Sequence, residues 1–291
     1  RFDGWADYAL GVFRHALSSI QATRGQAILA TSADDFRRAH REGKLAVLLG
    51  SEGGKLAEGS LDRLGEFHEM GYRCMQMRWN CPNQIVAAEA DGLTAFGREL
   101  ISALNRSGIM IDAMHAGRRA FFEMASLSEQ PILLSHGGAQ GAFRKSRIPD
   151  WGRRVARTFV DDEVLSTLAQ TGGLLGINLY GPQFAPMNKD GSTDATLDDV
   201  AEHFQYVAET VGVDTLAVGA DYFPTHGYWR NFAPPEGVFR GQFVVPKAGL
   251  ARLTTRLLAR GWREEDVAKV LGGNFLRFCE RVLSPGSLPA S

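Results

Sequence analysis

Cysteine is scarce in this 291-residue chain, with only Cys74, Cys81 and Cys279 present. Their spacing makes no C-x-x-C metal motif, and an odd number leaves no complete disulfide framework. A Cys74–Cys81 bridge is open to the chain, but Cys74 sits in an apolar run and reads more simply as a small core residue. No run of eighteen apolar residues exists, so no segment reads as a membrane span. A charge excess is missing too: 32 Lys and Arg stand against 33 Asp and Glu, a net charge of −1. That excludes the broad basic footprint of a nucleic-acid binder. The densest basic stretch, residues 144–157, holds five arginines and one lysine. It reads either as a solvated loop or as a site for an anion or carboxylate. No secretory pattern follows Arg1, which favours a cytoplasmic location; the absence of an initial Met leaves export open.

What the chain does have is a rhythm. With 44 % hydrophobic and 22 % charged residues, it has the composition of a globular protein with a sizeable core. Six short apolar runs recur: "KLAVLLG" (44–50), "YRCMQMR" (72–78), "IMIDAM" (109–114), "PILLS" (131–135), "GLLGINL" (173–179) and "TLAVGA" (215–220). They are apolar on both faces, as strands buried on both sides of a parallel sheet should be. Helical patterns lie between them. One is expected from a Ser60 cap to Gly71, another from Thr94 to Gly108, and others near 161–172 and 196–212. Two short helices are expected around Gly272 and Gly273. Before the first run come two helix-like stretches with "AILA" (27–30) between them. Strand–helix alternation of this kind predicts βα units on a parallel sheet, and the length suits one α/β barrel domain over 1–291.

The ends of the six runs carry Glu52, Trp79 with Asn80, His115, His136, Asn178 with Tyr180, and Asp221. In a (β/α)8 barrel the C-terminal strand ends converge on one mouth, where catalytic residues collect. Two imidazoles and two carboxylates at such ends match what a borderline divalent cation takes. Each residue also has a plainer role: Glu52 as a helix cap, either histidine as a buried group bonded to backbone, Asp221 as a turn cap. The joint pattern points to a metal-dependent barrel enzyme.

These residues sit in blocks that resemble a known family. "LLGSEGGKLAEGSLDRLGEFHEMGYRCMQMRWNCPN", "DGLTAFGRELISALNRSGIMIDAMHAG", "QPILLSHGGA", "GGLLGINLYGP", "VGVDTLAVGADY" and "RGWREEDVAKVLGGNFLRFCE" are similar, in order from about residue 38 to 282, to segments of the renal, or membrane, dipeptidases. The resemblance implies a TIM-type (β/α)8 fold, two zinc ions per chain in the intact family site, a homodimer, and hydrolysis of dipeptides, some with a D- or modified residue. By position it implies Glu52 as the carboxylate bridging the metals and His115 and His136 as ligands. Asp221 becomes the general base. Trp79, Asn80 and Tyr180 line the substrate site, and Arg157, with Arg153 or Arg154 as alternatives, holds the substrate carboxylate.

Two features depart from the family. Its H-x-D pair is absent from the chain; "DGWAD" (3–7) has Trp5 and Asp7 in the corresponding places, and indole cannot ligate a cation. Six strong runs against the eight strands of a barrel lead to the expectation that one or two leading strands are missing. Trp79 also stands where the archetypes have histidine. Both departures motivate an alternative: a catalytically weakened relative with a binding or natural-product maturation role. His226 reads as a loop residue, and His15, His40, His68 and His203 as surface or packing residues.

Overall fold

The computed structural model describes residues 4–87, 92–145, 158–185, 194–222, 244 and 250–283, and there the apolar runs become parallel strands. The chain divides into two compact units. One comprises Arg1–Leu134, Gln170–Gly173 and Phe275–Ser291, the other Ser135–Ala169 and Leu174–Asn274.

The first unit opens with α1 (Trp5–Ala22), β1 (Ala27–Leu29), α2 (Ala33–Arg41) and β2 (Leu45–Val47). β1 and β2 make a two-stranded parallel sheet of their own. Next come β3 (Leu49–Ser51), α3 (Leu64–Glu69), β4 (Tyr72–Gln76), α4 (Ala95–Ser107), β5 (Met110–Asp112), α5 (Arg118–Leu127) and the start of β6 (Leu133–Ala139). β3 to β6 pair in sequence order, all parallel. The run 44–50 thus splits at Leu48 between two sheets. α4 begins on the Thr94 hydroxyl, which accepts the Gly97 N–H, and ends at Gly108 with φ 63°, as its cap residues predict. Its Leu100, Ile101 and Leu104 are buried, each contributing roughly 1.5–3 kcal/mol by removal from water. α3 starts later than expected. Its cap is Arg63, because the Ser60 hydroxyl instead accepts the Asp62 N–H in a local turn. Phe13 of α1 packs on Tyr72 and Phe67, with ring centroids 5.2 and 6.0 Å away.

In the second unit the rest of β6 is flanked by β7 (Phe159–Val160) and β8 (Leu174–Ile177), and β9 (Leu216–Val218) pairs with β8. α6 (Asp162–Thr171) leads to β8 and α7 (Leu197–Val211) to β9. α7 carries a full capping box, Thr196 with Asp199. Its buried face runs through Val200, Phe204 and Val207, one side of a helix by spacing. α8 (Leu250–Ala259) and α9 (Glu264–Ala268) follow, then a wide turn at Lys269–Gly273 and α10 (Asn274–Val282). Gly272, at φ 166° and ψ −26°, makes the kink between the last two helices. Among the described residues no helix is long and apolar enough to cross a membrane.

Candidate metal centre

Glu52 follows β3 directly, with 48 % of its side chain exposed. The preceding residue is tied down: the Ser51 and Tyr72 hydroxyls lie 2.6 Å apart, and Tyr72 is fully buried, which holds its phenol protonated. His115 stands three residues past β5. Its backbone is left-handed at φ 63°, a conformation that a residue with a Cβ adopts only when its surroundings impose it. The Asp112 carboxylate helps by accepting the Met114 N–H at 3.0 Å. The turn brings His115 Nε2 to 3.6 Å from Glu52 Oε1. Past β4, Trp79 is 42 % exposed and Asn80 is also left-handed, φ 37°.

His136 lies within β6, buried, with Nδ1 2.9 Å from the Ser135 hydroxyl. With Nδ1–H donating to that hydroxyl, the ring is fixed and Nε2 keeps the lone pair that ligates a cation. Asn178, just past β8, is wholly buried. Its N–H donates to the Gly137 carbonyl at 2.8 Å and its Nδ2 to Asp221 Oδ2 at 3.1 Å. Its Oδ1 accepts the Tyr180 N–H at 2.5 Å. Asp221 is left-handed too, φ 55°. Burial, and then the Asp221 charge, push the Tyr180 phenol above its ordinary pKa. Beneath His136 the backbones touch: a Cβ on Gly176 or Gly219 would lie 2.2 or 2.0 Å from the Ser135 carbonyl oxygen. Only glycine fits there.

One ligand atom each from Glu52, His115 and His136 lies within 4.8 Å of the other two. These are the donors a zinc-like cation accepts, two imidazoles and a carboxylate, and three protein ligands leave a coordination position for substrate or water. The set therefore fits a metal. Trp5 and Asp7 take no part in the cluster. Both belong to α1, where Asp7 accepts from Arg63 at 2.5 Å and the Trp5 ring lies under Lys55. Arg153, Arg154, Arg157 and His226 lie outside the described residues. The three cysteines are free. Sequence reasoning passed over Ser135, whose only signal is its place beside His136.

Comparison with known proteins gives the family and the fold class. The family model for membrane dipeptidase (peptidase family M19) matches residues 13–284. An uncharacterized dipeptidase of Schizosaccharomyces pombe is 31 % identical over 199 residues, 65 % of this chain and 44 % of that protein. The match thus spans under half the length of that relative. An amidohydrolase from Pseudomonas aeruginosa has a similar structure, with TM-score 0.78 and 26 % identity over 94 % of this chain and 84 % of that one. A metallo peptidase from Rhodobacter sphaeroides, liganded with a phosphinate mimic of the dipeptide L-Ala-D-Ala, gives TM-score 0.76 at 24 % identity, covering 95 % and 75 %. These likenesses show the fold class, α/β of the TIM-barrel type.

Proposed function

The chain belongs to the membrane dipeptidase family, and from that premise we propose that it hydrolyses the amide bond of dipeptides with zinc, acting as one metallo-hydrolase domain. The observation that carries this reading is the convergence of Glu52, His115 and His136. A divalent cation held by these three would supply positive charge to polarise an amide carbonyl and acidify water. Asp221, oriented by the Asn178 amide, would take a proton from the attacking water and pass it to the leaving amine. Trp79 and Asn80 at the exit of β4, with Tyr180 past β8, wall the substrate. Arg157, or its neighbours Arg153 and Arg154, holds the substrate carboxylate as a planar two-point donor. The phosphinate mimic in the Rhodobacter sphaeroides metallo peptidase supports a C-terminal D-residue among the substrates. A homodimer and a second zinc are parts of the same proposal.

The test combines zinc analysis with turnover of an L,L and L,D dipeptide panel. Bound zinc with hydrolysis supports the reading; no turnover on either series refutes it. The ion pair of Asp7 with Arg63 leaves the H-x-D echo without a ligand role. That favours, as a second reading, a one-metal relative that binds peptides without cleaving them. Zinc and peptide binding without hydrolysis would establish it.

A further inference from the structure

His203 faces inward from α7 at 2 % exposure, and the chemistry above makes no use of it. Its Nδ1 accepts the Ala139 N–H at 3.1 Å, so the neutral ring carries its proton on Nε2. Ala139 closes β6, three residues beyond His136. Three phenylalanines meet the imidazole edge-on, Phe143, Phe159 and Phe184, with centroids 4.7, 5.2 and 5.1 Å away. Each belongs to a different exit. Phe143 is on the turn after β6, Phe159 opens β7, and Phe184 closes the turn after Tyr180. Burial drives the ring's pKa down to about 3, so it stays neutral and remains an acceptor at physiological pH. An aliphatic side chain would fill the same space without the cost of burying a polar ring. What the imidazole adds is its acceptor, and that acceptor is used on the strand bearing His136.

We propose that His203 is a positioning residue: its Nδ1 fixes the end of β6, and through it the His136 imidazole, while its phenylalanine surround ties the turns beside β7 and β8 to the same anchor. This rests on the metal reading of His136. Zinc affinity, measured by chelator competition on wild type, His203→Leu and His203→Asn, tests it. Asparagine keeps an acceptor near the place of Nδ1; leucine keeps bulk alone. The leucine variant should bind zinc about 10–100-fold more weakly, and asparagine should restore most of that loss. A purely structural role would lower the melting temperature of both variants and leave zinc affinity unchanged, which overturns the proposal. Wild type without zinc would instead refute the metal reading. Should His203→Leu fail to fold, long-range 1H–15N correlation on the wild-type ring decides: an Nε2–H tautomer supports the anchor, and a proton on Nδ1 overturns it.

Discussion

The strand exits of the first unit and those of the second hold their functional side chains by different means. In the first, the backbone does the aiming. His115 and Asn80 are left-handed, and the Glu52 carboxylate is about half exposed. In the second, where Asp221 alone of the site residues is left-handed, side-chain hydrogen bonds do most of it. Asn178 is wholly buried and holds Asp221, Ser135 bonds His136, and His203 holds Ala139. A strained backbone turn tolerates change in neighbouring side chains; a polar network anchored on buried residues does not, because each lost partner leaves a desolvated group unpaired. The exits of β6, β8 and β9 are therefore the less forgiving set.

Substitution of glycine offers the hardest way to break this contrast. Gly219→Ala places a methyl 2.0 Å from the Ser135 carbonyl oxygen and 2.8 Å from Gly176 Cα. Backbone atoms cannot yield as a side chain can, so a loss of about 3 kcal/mol is expected, read as a lower denaturation midpoint. Gly65→Ala in α3, with nothing within 4 Å, should gain roughly 0.5–1 kcal/mol from its helical position. A Gly219→Ala midpoint equal to wild type would erase the distinction.

Asn178→Ala comes next in size. It removes one hydrogen-bond partner from Asp221 and one from the Tyr180 N–H together. Turnover should fall about 100-fold through misplacement of Asp221, the proposed base, with zinc content unchanged. If zinc is lost along with turnover, the network holds the ligands and not just the base.

An effect absent at neutral pH sharpens the comparison without breaking it. The His203 ring titrates near 3 when folded, against an ordinary value of 6.5. Above about pH 6.5 both folded and unfolded states hold it neutral, so it adds no pH dependence. As pH falls from there towards 3, the unfolded chain binds the proton and the folded one does not, so stability declines. Across that window wild type should take up about one more proton on unfolding than His203→Asn does. Equal slopes of stability against pH would place His203 in contact with solvent.

Much of this was legible in the sequence, for identifiable reasons. Each of the six apolar runs yields a strand, and Thr94 and Gly108 bound α4 where their cap chemistry requires. The division of 44–50 at Leu48 was hidden, because an unbroken apolar run does not reveal where pairing changes sheet. β7, two residues long, is too short to show any period. Glu52, His115 and His136 stood out by residue type and position, and they do converge. The hydrogen bonds that orient His136 and Asp221 did not stand out, since Ser135, Asn178 and His203 are common residues whose partners lie far along the chain or hide in plain adjacency. "DGWAD" is an echo of the family motif in sequence alone: its Trp5 and Asp7 lie in a helix, Trp5 under Lys55 and Asp7 paired with Arg63.

Zinc content, measured by plasma mass spectrometry on wild type and on Glu52→Gln, His115→Ala and His136→Ala, addresses the centre most directly. The account predicts stoichiometric zinc in wild type and a marked loss in all three variants, each still folded by circular dichroism. Wild-type levels of zinc in any one of the three would contradict it.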